Sequence, residues 1–108
     1  MKVKKLGGDR LLMMIEALAN PQRLRILAAL QSAGRTYVSQ LARDVGISRP
    51  LLHLHLQRLE EAGLVQSQLE LSSDGKALNY FQVRDFEIHL SPSVIAEAAQ
   101  TLTMKPKP

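Results

Sequence analysis

Thr36-Tyr37-Val38-Ser39-Gln40-Leu41-Ala42-Arg43-Asp44-Val45-Gly46-Ile47-Ser48-Arg49-Pro50-Leu51-Leu52-His53-Leu54-His55-Leu56-Gln57-Arg58-Leu59-Glu60-Glu61-Ala62-Gly63-Leu64-Val65 is the stretch that decides the fold. Val38, Leu41, Ala42 and Val45 fall on one face at helical spacing, which predicts a short helix starting at Ser39 or a neighbouring residue. Gly46 ends it, supplying the left-handed residue that a tight turn needs. Ile47 is expected to plug the space between this helix and the next. Ser48 is the expected N-cap of a second helix whose Leu52, Leu56 and Leu59 face inward, with Pro50 in the first turn, where proline is tolerated. Gly63 terminates that helix and a strand opens at Leu64. This is the helix-turn-helix plan, in which the second helix is shaped to lie in the major groove of duplex DNA.

Upstream, Leu11, Leu12, Ile15 and Leu18 recur at helical spacing, predicting a helix over residues ~10–19 with Asp9 as its N-cap. Asn20-Pro21 restarts the helix: Asn20 caps, and Pro21 sits at the first helical position, where its missing N–H costs nothing. Leu24, Leu27 and Ala28 mark the expected inward face, with Leu30 at its border and Ile26 on a flank, and the helix should end near Ala33-Gly34. Thr36-Tyr37-Val38 is β-prone and can form a single edge strand.

Downstream, residues 64–71 read as a strand, 72–76 as a turn and 77–83 as the returning strand. Asp74-Gly75 between two such runs is a strong hairpin signal. Ser91-Pro92 then opens a last helix with Val94, Ile95, Ala98, Ala99 and Leu102 on its apolar side. The expected fold is mainly α with a small β-hairpin, a winged helix-turn-helix in which the hairpin turn projects as the wing. Residues 1–9 are expected to be a flexible basic lead-in, 10–104 the winged domain with terminal dimerisation helices, and 105–108 a disordered tail.

With 108 residues the chain is long enough for one core but not for two. Its formal net charge is +4, and the charge is uneven: residues 1–54 carry nine Lys/Arg against three acids, residues 55–108 five against seven. The basic N-terminal half suits a polyanionic partner. No cysteine is present, which excludes a disulfide framework, a thiolate metal site and a cysteine nucleophile. No apolar run approaches the roughly 20 residues of a membrane span, so a soluble, cytoplasmic protein with no membrane partner is expected. There is no glycine-rich phosphate loop and no Ser-His-acid signature with supporting context, so no enzyme and no cofactor are expected.

Three segments resemble the ArsR-type family of small transcription regulators. They are Ala-Asn-Pro-Gln-Arg-Leu-Arg-Ile-Leu at 19–27, Leu41-Ala42, and His-Leu-x-x-Leu-x-x-Ala-Gly-Leu-Val at 55–65. The resemblance spans roughly residues 10–100, and MarR-type regulators share its third segment more loosely. It implies a homodimer that binds a pseudo-palindromic operator, usually as a repressor released by an effector. It also implies a dimer interface on the first and last helices, here Leu11, Leu12, Ile15, Val94, Ile95, Ala98 and Leu102. No residue pattern identifies the effector.

On the recognition helix Arg49, Pro50, His53 and Gln57 lie away from the core and are the expected DNA contacts. Arg49 can bond guanine bidentately or hold a phosphate, Gln57 can pair with adenine, and His53 can donate to a base or phosphate. Leu51 and Leu54 depart from the polar pattern of the family here; they can touch thymine methyl groups or pack against the preceding helix. His55 matches the family histidine and is either structural or phosphate-facing. In the wing, Lys76 and Ser73 are expected at phosphates or the minor groove, and Arg84 at the backbone.

Metal sensing, common among ArsR-type proteins, is not expected. Tyr37 and Ser39 stand where cysteines would be, and Glu97 is the sole candidate ligand on the last helix. His53 and His55, two apart on a helix, point about 200° apart. Asp85, Glu87 and His89 share one face of an extended segment, a pattern that solvent exposure explains. A second class of function is a winged helix used as a protein-interaction module, docked through Leu51 and Leu54.

Overall fold

In the computed structural model, which describes residues 6–103, the chain forms five helices and a small three-stranded sheet. The order is α1 (Gly8–Leu18), α2 (Pro21–Ala33), β1 (Thr36–Tyr37), α3 (Val38–Val45), α4 (Arg49–Glu61), β2 (Val65–Leu71), β3 (Ala77–Val83) and α5 (Pro92–Ala99). The three strands are antiparallel in the order β1-β3-β2, so β1 covers one edge of the hairpin. Val65 faces Val83 at the base of the wing and Leu71 faces Ala77 at its tip, while Thr36 pairs with Phe81.

Local signals set most of the boundaries. The Asn20 side chain accepts from Gln22 N at 2.9 Å and Arg23 N at 3.1 Å, capping α2. Ser48 accepts from Leu51 N at the start of α4, and Ser91 from Val94 N at the start of α5. Gly46 adopts φ +76°, ψ +36° between α3 and α4, the left-handed conformation expected from its place in the helix-turn-helix. α3 starts at Val38, with Tyr37 in the N-cap position and no side-chain cap.

The core gathers around α4. Leu52, Leu56 and Leu59 are fully buried together with Ile26, Leu30, Leu41, Leu64 and Val65, and Val38, Val45 and Ile47 pack against them. The inward face of α2 differs from the sequence expectation. Ile26, Leu27 and Leu30 are buried, whereas Leu24 is 53% exposed and Ala28 is exposed. Two overlapping apolar stripes run along α2, and packing against α3, α4 and β3 selects the one carrying Ile26 and Leu30.

The first helix also begins earlier than its capping signal suggested. Gly7, not Asp9, occupies the N-cap of α1 and offers no side chain. Gly8 comes close enough to α5 that a Cβ there would collide with Ala98 O and the Leu102 side chain, and its N–H donates to Thr101 Oγ1 at 2.7 Å. Asp9 is thereby placed inside the first turn, where its carboxylate accepts from Thr103 N at 2.9 Å and Thr103 Oγ1 at 2.6 Å. The lead-in expected over residues 1–9 therefore stops short of Gly8, and its residues 1–5 lie outside the described residues, as does the tail expected over 105–108. Among the described residues no helix is long and apolar enough to cross a membrane.

Candidate nucleic-acid interface

At 100° per residue the buried leucines of α4 define an inner face, and Pro50, Leu54, Gln57 and Glu61 run along the opposite, exposed one. The flanks are identified by their contacts. Glu60 accepts from the Ser67 hydroxyl of β2 at 2.8 Å, so Arg49 and His53, on the same stripe as Glu60, lie towards the wing. His55 meets Arg23, so Leu51 and Arg58, beside His55, lie towards α2 and the end of α1. Arg49, Pro50, His53 and Gln57 are all exposed and share the outward half of one helix. Gln57 Nε2 donates to Glu61 Oε1 at 3.2 Å, so one of its donors is occupied until a base competes for it.

Leu51 and Leu54 are not buried between α4 and α3: both are exposed, Leu54 by 62%. The centre of the recognition face is therefore apolar, flanked by Arg49 and His53 on one side and Arg58 on the other. Such a surface suits thymine methyl groups better than hydrogen-bonding base edges.

The wing turn is stapled by its own residues. Ser72 N donates to Lys76 O at 2.7 Å, Lys76 N to Ser72 Oγ at 3.1 Å, and the Ser72 hydroxyl to the Asp74 carboxylate. That hydroxyl, followed by the Lys76 N–H, holds the Asp74 carboxyl below the usual carboxylate range. Lys76, Ser73 and Arg84 are exposed, and the Asp74 charge beside Lys76 reduces the positive potential of the tip. Along the solvent face of the sheet, Arg35 stacks over the Tyr80 ring at 4.1 Å, pairs with Glu70, and leaves Tyr80 edge-on to Tyr37.

Two arginines escaped the sequence reading. Arg43 is exposed on α3 and donates to Gln40 Oε1 at 2.7 Å, a cation on the helix that crosses the backbone in a helix-turn-helix. Its signal was available, since it lies opposite Leu41 and Val45. Arg23 gave no such signal: its partners are main-chain carbonyls at the end of α1 and a side chain 32 residues away.

The expected dimer residues divide into two groups. Leu11 and Ala98 are buried within the protomer, where α5 rests on α1. Ile95 and Leu102 are exposed, Leu12, Ile15 and Val94 are half-buried, and Met13 joins them as a further exposed apolar residue on α1. Asp85, Glu87 and His89 are all exposed, and among the described residues no three His, Asp or Glu side chains converge as metal ligands would.

The fold and the recognition face define a winged helix-turn-helix regulator, and comparison with known proteins places it more closely. Residues 20–67 match the family described as bacterial regulatory protein, arsR family. An uncharacterized HTH-type transcriptional regulator of Methanocaldococcus jannaschii is 34% identical over 80 residues, 74% of this chain and 82% of that protein. A homodimeric winged helix-turn-helix DNA-binding domain of Mycobacterium bovis, described as a possible ArsR-family regulator, superposes with a TM-score of 0.61 at 26% identity, covering 85% of this chain and 74% of that one. The transcriptional regulator HlyU of Vibrio vulnificus gives a TM-score of 0.57 at 25% identity, covering 85% and 83%. The chain belongs to the ArsR family of helix-turn-helix transcriptional regulators.

Proposed function

We propose that this ArsR-family chain acts as a homodimer on duplex DNA, each protomer laying α4 in the major groove and its wing on the adjacent backbone. The observation that carries this is the outward face of α4. Its polar residues Arg49, His53 and Gln57 are exposed on one side of a helix whose other side is locked into the core. Arg49 supplies the guanine or phosphate contact and Pro50 lies against the groove wall. His53 donates from the wing side, Gln57 reads deeper in the groove, and Lys76 holds a phosphate.

The dimer forms through Leu12, Met13 and Ile15 of α1 with Val94, Ile95 and Leu102 at and beyond α5, the apolar residues these elements leave exposed or half-buried; that a winged helix-turn-helix domain of M. bovis is homodimeric supports the dimer itself. Two such protomers match a pseudo-palindromic operator, and we read the chain as a repressor relieved by an effector, working in the cytoplasm and catalysing no reaction. The exposed Leu51 and Leu54 favour one other reading, a protein-docking face with no sequence-specific DNA binding.

A fluorescence-anisotropy titration of the chain's own promoter against scrambled duplex, at two salt concentrations, separates the two. Tight, promoter-selective and salt-sensitive binding is expected of the regulator. Absence of binding at low salt would replace it with the docking module.

A further inference from the structure

Pro21 has no N–H, so Ala17 O, four residues earlier in α1, has no main-chain donor in the usual place. Arg23 fills the vacancy: its Nε donates to Ala17 O at 2.5 Å and its Nη2 to Glu16 O at 3.2 Å. The same guanidinium extends Nη1 to Nδ1 of His55 on the recognition helix, at 3.3 Å. One side chain on α2 therefore joins the last carbonyls of α1 to the middle of α4. A guanidinium carries donors alone, so this contact is a hydrogen bond when Nδ1 is the unprotonated, accepting nitrogen and the imidazole proton resides on Nε2.

We propose that Arg23 is a positioning residue for DNA recognition: through the neutral His55 imidazole it fixes the angle of α4 against α1. The inference rests on the proposed function, in which α1 lies at the dimer interface. The angle between α1 and α4 then sets the separation of the two recognition helices, and with it the half-site spacing the dimer accepts. Burial and the Arg23 charge both push the His55 pKa down, in keeping with an imidazole that stays neutral beside a cation.

A double-mutant cycle on operator binding tests this, combined with 15N NMR of the His55 ring in the free protein. His55→Leu removes the acceptor while leaving both Arg23 bonds to α1 in place, so it is the variant expected to keep the fold, whereas Arg23→Ala also removes those two bonds. Each variant should weaken operator binding about tenfold, the worth of one charge-assisted hydrogen bond, with scrambled duplex bound as before. The double variant should be no worse than about tenfold, because the two residues act as one unit. His55→Gln, whose side-chain oxygen can accept from Arg23, should restore binding to within about twofold. The His55 Nδ1 resonance should move in Arg23→Ala.

Additive losses, a His55→Gln variant as weak as His55→Leu, or an unmoved Nδ1 resonance would overturn the positioning role while the DNA-binding reading stood. Wild-type protein that fails to distinguish operator from scrambled duplex would overturn the DNA-binding reading, and this proposal with it.

Discussion

Arg49 is the first residue of α4, directly after the Ser48 cap, where the helix's free N–H groups already favour an anion. Its guanidinium adds a directional donor pair to that site, so it is expected to serve the specific complex more than the non-specific one. Arg49→Ala should cost about 1–3 kcal/mol on the operator and relax preference at one base pair. Lys76 is exposed on the wing turn rather than on a helix, and would act as a point charge. Lys76→Ala should lower affinity on every sequence and reduce the salt slope by about 1. Anisotropy titrations over a salt series check both, and variants that bind like wild type would remove these residues from the interface. His55 makes a stability prediction of its own. Burial and then Arg23 push its pKa below the ordinary value, so the unfolded chain takes up the proton first as pH falls. The contribution is intact above an unfolded pKa of about 6.5 and is lost as pH falls from there through the lower folded value. Urea midpoints at pH 7.5 and pH 5 should show a larger acid loss in wild type than in His55→Gln.

Among the elements, α1 and α5 are held by a short polar clasp: Gly8 N–H on the Thr101 hydroxyl and the Asp9 carboxylate on Thr103. The Thr103 hydroxyl, and after it the Thr103 N–H, holds the Asp9 carboxyl below its usual range. A lowered carboxylate pKa stabilises the fold above the unfolded value of about 3.9 and ceases to do so as pH falls through the folded value. Asp9→Asn should therefore lower the thermal midpoint at pH 6, with the gap from wild type closing as pH falls below the unfolded value and through the lower folded one. Circular-dichroism melts across that range measure it, and a gap independent of pH would assign the effect to something other than the carboxylate charge. This clasp was not legible in the sequence. Its partners are more than 90 residues apart, and Asp9 before an apolar helical run carries the ordinary signature of a cap. What was legible were features whose cause is local. Asn20, Ser48 and Ser91 cap because the donor they satisfy lies two or three residues on, Gly46 turns because its own backbone must, and Asp74-Gly75 closes a hairpin between adjacent strands. The face of α2 failed for the opposite reason: Leu24 and Ile26 are equally apolar, and only the packed neighbours choose between them. The Arg23 bridge failed likewise, since nothing near Arg23 in the chain announces His55. The expected DNA contacts on α4 follow from one helix face, which the fold leaves exposed, whereas the exposure of Leu51 and Leu54 needed the structure.

At the scale of the whole molecule, burial is uneven. The core is centred on α4, while α5 rests on α1 at the periphery and leaves Ile95 and Ala99 exposed. Met13 is 46% exposed and Ile95 51%, so the two terminal elements together present apolar surface that a single protomer does not cover. A two-fold interface uses the same patch on both copies, and a charge placed at its centre meets its own image across the axis. Ile95→Glu is therefore expected to convert the proposed dimer to a monomer in analytical ultracentrifugation while leaving the circular-dichroism spectrum unchanged, because Ile95, 51% exposed, contributes little to the protomer core. The monomer keeps an intact α4 and wing but engages one half-site. Its salt slope on operator DNA should fall to about half, since half the phosphate contacts and released counterions remain. Its advantage for operator over scrambled duplex should shrink by far more, because the second half-site no longer binds at the high effective concentration set by the first. A variant that becomes monomeric yet keeps wild-type discrimination would show that one recognition helix suffices. A variant that stays dimeric would move the interface off α5. Sedimentation and the two-duplex titration together thus locate the dimer axis and test whether specificity depends on pairing.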